Sequence, residues 1–193
     1  MPKKNLPEKI YQLHISLKYI KPEIWRRFLV TDEVTFEKLH KIIQIVMGWE
    51  DYHLHEFSVG SRKFGMPDEE WDFYEAENEK KVRLNELNMA ENQKFGYLYD
   101  FGDSWEHEIK IEKLISIESG VKYPKCLAGE RACPPEDCGA FPGYDQLFEL
   151  HRLPPDELDE DDAERIQWLG EDHDFEYFSV DEVNAILWKK FAR

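Results

Sequence analysis

Long hydrophobic runs and cysteines are scarce in this sequence, and their scarcity excludes several classes of protein. No run approaches the ~18 consecutive apolar residues of a membrane span. The first residues, MPKKNLPEKIYQL, contain lysines but no apolar stretch with a small-residue cleavage site, so we expect no secretory signal. Three cysteines are too few and odd in number for a disulfide framework. We therefore expect a cytoplasmic protein with no membrane association.

Basic residues are also fewer than acidic ones. The 193 residues include 25 Lys and Arg and 41 Asp and Glu, which gives a net charge of −16. This charge repels nucleic acid, whose binding rests chiefly on contacts of Lys and Arg with phosphate. One local basic patch opposes it and leaves a nucleic-acid accessory role open: Lys18, Lys21, Arg26 and Arg27. The strongest acidity lies in the segment 156–164, where seven of nine residues are Asp or Glu.

Apolar periodicity predicts several strands and one long helix in the first 120 residues. Alternation favours strands over 10–20, 24–30 and 53–60, and a hairpin of 95–101 and 104–117 that turns at Gly102 and Asp103. A helical stripe runs from Phe36 to Met47, with Asp32 or Thr35 as its cap and Gly48 as its stop. Residues 65–81 are polar and weakly periodic, which predicts a long loop.

The last third of the chain is predicted to be helical. Residues 122–142 hold all three cysteines and four of the ten prolines and are expected to be irregular. Helices are predicted over 143–152, 156–169 and 179–191. Because strands precede helices, we expect one α+β domain over residues 1–193, with a mostly antiparallel twisted sheet packed against helices. A strand-rich core would span 8–120, and the Cys/Pro-rich loop with acidic helices would span 121–193.

Three histidines and nearby carboxylates form the first candidate site. Strand alternation places His53 and His55 on one face, and His107 on the same face as Trp105. These strands would bring the histidines to the hairpin tip, which also carries carboxylates. The candidate ligand-binding residues are His53, His55, Asp100, Asp103, Trp105 and His107. Such a set suits a divalent metal or acid–base chemistry, whereas the alternative is hydrogen-bonded histidines at the rim of the sheet.

The cysteines form the second candidate site, with the spacing Cys126-x6-Cys133-x4-Cys138. Zinc knuckles favour gaps of two to four residues, so only the second gap is permissible and zinc is a minority expectation. Unligated small thiols are the alternative. The Pro-Pro-Glu-Asp run at 134–137 is interpreted as a rigid turn rather than as a pair of catalytic carboxylates. No HExxH motif, Ser-His-Asp spacing or P-loop indicates a specific reaction.

Three segments, HLHEFSVG, YLYDFGDSWEHEI and YPKCLAGERACPPEDCGAFPGYDQL, carry a family resemblance. Together they resemble the plasmid ORF-three-like family, named from an open reading frame of a root-inducing plasmid and also labelled TnpR-like passenger proteins of insertion elements. The resemblance covers about residues 8–190, and Ala140 stands where the family usually has a second glycine. It implies a single α+β domain without an agreed activity or site.

The resolvase activity that the TnpR label suggests does not fit the residues. A serine recombinase needs an activated serine amid arginines and a basic helix-turn-helix, and neither is apparent here. The preferred hypothesis is a binding or accessory module, associated with plasmid or mobile-element genes, for an unknown protein or small ligand. The alternatives are a metal-dependent, hydrolase-like enzyme that uses the His/Asp cluster, and the nucleic-acid accessory protein.

Overall fold

A computed structural model describes residues 9–66, 76–170 and 172–191. Within those ranges, eight strands form one sheet and four α-helices lie beside it. The strands are β1 Lys9–Leu17, β2 Trp25–Thr31, β3 His55–Val59, β4 Arg62–Gly65, β5 Glu77–Asn78, β6 Lys94–Tyr99, β7 Trp105–Ser116 and β8 Lys125–Glu130. The helices are α1 Phe36–Met47, α2 Ala140–Leu150, α3 Glu160–Leu169 and α4 Val180–Phe191.

The sheet is antiparallel except at one edge. Its strand order is β5-β4-β3-β6-β7-β1-β2-β8, and only β4 and β5 pair in parallel. The two longest strands, β1 and β7, are neighbours near the middle of the sheet. The α+β class with a mostly antiparallel sheet and a helical C-terminal third is the one predicted from the sequence.

Helix α1 forms where its stripe and caps predict it. Of the two candidate caps, the structure uses Thr35, whose side chain accepts a hydrogen bond from the backbone N–H of Lys38 at 3.2 Å. Gly48 ends the helix with a φ of 109°, a conformation that glycine adopts without steric cost. The buried face of the helix, which includes Phe36, Leu39 and Ile43, packs into the core beneath the sheet.

The prediction of an irregular segment over 122–142 is wrong for its first part. Lys125–Glu130 is the edge strand β8, which pairs antiparallel with β2 and places Cys126 opposite Phe28. Short alternation interrupted by proline and glycine hid the strand, because only the partner strand supplies its hydrogen bonds. In the predicted loop 65–81, residues 67–75 lie outside the described residues, while Glu77–Asn78 is the short strand β5.

The C-terminal helices differ slightly from prediction. The segment 156–169 begins as a 3-10 turn at Pro155–Glu157, and α3 then starts behind Asp159, whose carboxylate caps it by accepting from the backbone N–H of Asp162. Helix α4 packs against β8 and α1. The α-helices in the described ranges reach at most 12 residues, too short to cross the apolar interior of a bilayer.

Candidate functional site

A cluster of one imidazole and three carboxylates lies where three connecting segments meet. His53 comes from the segment between α1 and β3, Asp100 from the β6–β7 turn, and Glu136 and Asp137 from the segment after β8. The Nε2 atom of His53 lies 3.2 Å from Asp137 Oδ1 and 3.7 Å from both Asp100 Oδ2 and Glu136 Oε2. We call these four residues the His53 cluster.

The turn that carries Asp100 is fixed by its own backbone. Asp100 has a φ of 57°, and its carboxylate accepts a hydrogen bond from the N–H of Gly102 at 2.8 Å. The N–H of Ser104 donates to the Asp100 carbonyl at 2.7 Å. Aspartate tolerates this left-handed conformation because its short side chain bonds locally. The second carboxylate oxygen of Asp100 is thereby directed to His53.

The segment that carries His53 is tied to its neighbours on both sides. The indole N–H of Trp49 donates to the Pro134 carbonyl at 3.0 Å. The N–H of Tyr52 donates to the Tyr99 hydroxyl at 3.1 Å, and the N–H of Asp100 donates to the Leu54 carbonyl at 2.9 Å. These bonds join the three segments, so the position of His53 is set by the fold rather than by its own side-chain contacts.

Two polar atoms of the cluster are shielded from solvent and have no hydrogen-bond partner. They are His53 Nε2 and Glu136 Oε2. The other oxygen of Glu136 is fully used, since it accepts from the Tyr99 hydroxyl at 2.9 Å and from the Glu50 N–H at 3.0 Å. Burial and the Glu136 carboxylate raise the pKa of the Tyr99 hydroxyl, which therefore stays protonated as a donor.

The structure joins only two of the six residues predicted for this site, His53 and Asp100. The strand β3 begins at His55, so His53 lies before the strand and the direction of its side chain does not follow the alternation of strand residues. Asp103 lies in the same turn as Asp100, but its carboxylate accepts from the Gly139 N–H at 3.3 Å. Trp105 is buried in the sheet, with 2% of its surface exposed. The predicted convergence of three histidines is therefore not seen.

His55 belongs to a second, buried polar network. Its ring stacks on that of His40 with centroids 3.4 Å apart, and its Nε2 lies 2.7 Å from Glu79 Oε2. His40 in turn contacts the Tyr97 hydroxyl at 2.8 Å and Asp51 Oδ1 at 2.6 Å. Burial, and then the neighbouring His55, lower the pKa of His40 to about 4. His40 was not among the residues predicted for a site, although its position on the apolar face of the predicted helix was a usable signal.

His107 lies in the core between β6 and β1, not at the hairpin tip. Its Nδ1 is 3.2 Å from the Tyr97 carbonyl, its ring meets Trp49 edge-on, and its Nε2 has no hydrogen-bond partner. Burial lowers the pKa of His107 to about 3. The neutral ring is packed among aromatic side chains, so this histidine fits the alternative interpretation of a core residue.

The turn predicted for 134–137 is present, since Glu136 and Asp137 form a turn, but the sequence did not predict that both carboxylates lie beside His53. Both side chains reach His53, and Asp137 holds a φ of 55° at the tip of its segment. No periodicity connects residues 136–137 with residue 53, so the signal for this pair was only the run of carboxylates between prolines and a cysteine.

The three cysteines are free thiols. Within the described part of the chain, only His53, Asp100 and Asp137 bring three potential ligand atoms within 4.8 Å of one another. The structure thus does not assemble Cys126, Cys133 and Cys138 into a zinc ligand set. Pairing of β8 with β2 holds Cys126 in the sheet, opposite Phe28. Burial raises the pKa of Cys126 to about 11 and that of Cys138 to about 12, so both groups are protonated thiols here.

The structure does not present the four residues of the predicted basic patch as one exposed surface. Arg26 is only 1% exposed and donates to backbone carbonyls inside the protein. Arg27 is engaged by both carboxylate oxygens of Glu112, and Lys18 pairs with Glu106 at 3.0 Å. Alternation placed these residues near one another but did not reveal their partners. Lys21 is exposed in the segment between β1 and β2.

Comparison with known proteins gives the chain relatives over nearly its full length. The family model described as plasmid pRiA4b ORF-3-like protein matches residues 9–182. The uncharacterized protein y4hQ of Sinorhizobium fredii is 34% identical over 191 residues, 95% of this chain and 96% of its own. A crystal structure of MM3350, a protein of unknown function from Methanosarcina mazei Go1, is 40% identical with a TM-score of 0.82, covering 92% of this chain and 98% of that one. The likeness to this crystal structure confirms the α+β fold.

Proposed function

This chain belongs to the plasmid pRiA4b ORF-3-like family, and from the site that its fold builds we propose that the protein is a binding module for a divalent metal ion at the His53 cluster. The family relatives are described as uncharacterised or of unknown function, so the proposal rests on the geometry. The observation that carries it is His53 Nε2, which has no hydrogen-bond partner and lies within 3.7 Å of three carboxylate oxygens.

The distances within the cluster suit a shared ion. Two ligand atoms that each lie ~2.1 Å from one metal ion are themselves about 3.0–3.4 Å apart. The separation of 3.2 Å between His53 Nε2 and Asp137 Oδ1 falls in this range, and the separation of 3.7 Å between His53 Nε2 and Asp100 Oδ2 needs only small side-chain rotations. These three residues are the proposed ligands, and Glu136 lies beside them. Imidazole favours zinc and neighbouring transition metals, and carboxylates favour manganese and magnesium. We therefore expect Mn²⁺ or Zn²⁺.

We expect Asp137→Asn to weaken binding of Mn²⁺ or Zn²⁺ at least about tenfold. Removal of even an outer-shell group of a metal site typically lowers the metal affinity about 10–100-fold. Isothermal titration of chelator-treated protein measures this loss. The Asp137 side chain is 71% exposed and its backbone conformation is one that asparagine also adopts, so the melting temperature should not change. The matched control is Asp145→Asn on α2, an exposed residue that removes the same charge and should bind metal as the wild type does.

A second variant, His53→Ala, separates the cluster from general attraction of cations by this acidic chain. It removes the imidazole without changing the number of carboxylates. It should therefore weaken the binding of Zn²⁺ more than the binding of Ca²⁺, an ion that prefers oxygen ligands. Unchanged Zn²⁺ affinity in both variants, or no stoichiometric binding by the wild type, would contradict the proposal.

A metal-dependent hydrolase is the second candidate function, and Glu136 is the observation that favours it. Its Oε2 is unpartnered beside the proposed metal position, while its Oε1 is held by Tyr99 and Glu50. A carboxylate so oriented suits a general base for water that a metal ion activates. If so, Glu136→Gln should abolish Mn²⁺-dependent cleavage of bis(p-nitrophenyl) phosphate and retain the metal. No cleavage by the metal-loaded wild type would reject this candidate and leave the binding module.

We place the protein in the cytoplasm. Its three thiols are unpaired and two of them are buried, an arrangement that suits a reducing compartment.

A further inference from the structure

A groove of about 610 Å³ opens beside the His53 cluster, between the segment after β8 and helices α2 and α3. Its apolar lining comes from Leu147 and Trp168, and its acidic lining from Asp137, Asp161 and Glu164. Arg165 is the only basic residue in the lining. The volume lies within the range of about 300–1,000 Å³ that is typical of ligand sites.

The charges of the groove favour a cationic ligand. Asp161 and Glu164 are exposed and form no ion pair within 4.0 Å with any residue in the described ranges. The guanidinium of Arg165 lies near the start of α2. Its Nη2 is 3.9 Å from the position that a Cβ atom would occupy at Gly143. The segment 156–164, which includes Asp161 and Glu164, carries five further carboxylates. A basic partner is therefore attracted to this end of the protein.

The aromatic wall suits a cation with an apolar stem. Trp168 is 56% exposed, and no side chain of its helix α3 is fully buried. Tryptophan is the side chain that binds a cation over its ring most strongly, and arginine is the commoner partner. Leu147, which is 1% exposed, supplies an apolar floor for methylene groups. The groove thus combines a ring face, a floor and two free carboxylates.

We infer that this groove binds an arginine-containing peptide segment of a partner protein. A peptide fits better than a small organic cation because the acidic segment continues beyond the groove and offers sites for several positive charges. The inference goes beyond the proposed metal site: Asp137 lines both, but its carboxylate oxygen faces His53, whereas Asp161 and Glu164 face the groove from α3.

Fluorescence anisotropy with a labelled nonapeptide of four arginines and two leucines spaced by glycines tests the inference. We expect saturable binding that weakens about fivefold in Trp168→Ala, a loss within the range of one cation–π contact. The double variant Asp161→Asn/Glu164→Gln should weaken binding about tenfold, as expected for two charged contacts at a partly exposed site. The same peptide with glutamine in place of arginine should not bind.

The control Glu118→Gln/Asp145→Asn removes two exposed carboxylates outside the groove and should change the affinity less than twofold. Equal losses in both double variants would show a diffuse electrostatic field and overturn the inference, as would unchanged binding by Trp168→Ala. Full displacement of the peptide by an equimolar amount of spermidine would assign the groove to small cations instead. Binding in the presence of chelator should be unchanged, so failure of the metal proposal and failure of this one are distinguishable.

Discussion

Arg26→Met should lower the free energy of unfolding by about 3–5 kcal/mol, the largest effect that we expect from a single substitution. The guanidinium is buried and forms no ion pair with a carboxylate of the described residues, and backbone carbonyls balance its charge. Five of them accept its hydrogen bonds at 2.6–3.3 Å: Trp25, Val46, Met47, Glu130 and Arg131. Methionine fills a similar volume and leaves these acceptors unpaired.

The position of Arg26 explains why the loss would be global. Val46 and Met47 are the last residues of α1, where the helix dipole is negative and stabilises a cation. Glu130 and Arg131 lie at the end of β8 and just beyond it, and the guanidinium carbon stands 4.0 Å over the ring of Phe178. One side chain therefore joins the sheet, the end of the long helix and the C-terminal part of the chain.

Urea denaturation measures the effect, and Arg27→Met is the matched control. Arg27 is the next residue of the same strand, but its side chain is 32% exposed and pairs with Glu112, so its loss should cost about 1 kcal/mol or less. Arg26→Lys should also be strongly destabilised, because an ammonium group has three N–H donors and cannot reproduce the five hydrogen bonds of the planar guanidinium. Should Arg26→Met fail to fold, Arg26→Lys supplies the measurement. A loss under 1 kcal/mol in Arg26→Lys or Arg26→Met would contradict this account.

The second large effect is a loss of stability between pH 6.5 and 4.5. The folded-state pKa is about 4 for His40 and about 3 for His107, both below the ordinary 6.5, and burial is the main cause at each. At His40 the opposing Asp51 and Glu79 carboxylates do not outweigh burial. As the pH falls through 6.5, these histidines become protonated in the unfolded chain but stay neutral in the folded chain. The free energy of unfolding, which is highest above pH 6.5, therefore declines.

The size of the loss follows from the same linkage. At pH 5 each histidine costs about 2 kcal/mol, since each pKa unit is worth about 1.4 kcal/mol. Carboxylates add to the loss only at lower pH. Glu112, whose pKa Arg27 and Gln12 lower to about 2, begins to contribute as the pH falls through its ordinary 4.5. The interval from pH 6.5 to 4.5 therefore reports the buried histidines.

Urea unfolding at a series of pH values tests this prediction, with His107→Asn as the informative variant. Asparagine keeps a donor near the Tyr97 carbonyl and removes the titrating group, so the decline between pH 6.5 and 4.5 should be less steep in the variant than in the wild type. A wild-type stability that is constant over this interval would contradict burial of neutral histidines, as would an unchanged slope in the variant.

Local patterns were sufficient for most of the secondary structure. Apolar spacing and the caps of α1 predicted the helix to within a residue, because the helix stripe and its stop signals are properties of neighbouring positions. The hairpin around Gly102 and Asp103 followed from alternation on both sides of a turn. Strand β8 was missed because its pairing with β2 joins residues about 100 positions apart.

The candidate site, too, was only partly predictable from local sequence patterns. The sequence identified His53 and Asp100 as polar residues near a turn, but it also grouped them with His55 and His107, which belong to the interior. Whether a histidine faces a ligand or a buried partner depends on residues brought near by other segments: Glu79 for His55, and Glu136 and Asp137 for His53.

The sequence by itself therefore determined the α+β class, the positions of most strands and helices, the family and the acidic character of the C-terminal third. The tertiary structure alone decided the burial of Arg26, the stacking of His40 on His55, the four residues of the His53 cluster and the groove beside it. The physical reason is that periodicity records which face of an element is apolar, whereas hydrogen bonds and charge contacts between distant segments are made only when the chain has folded.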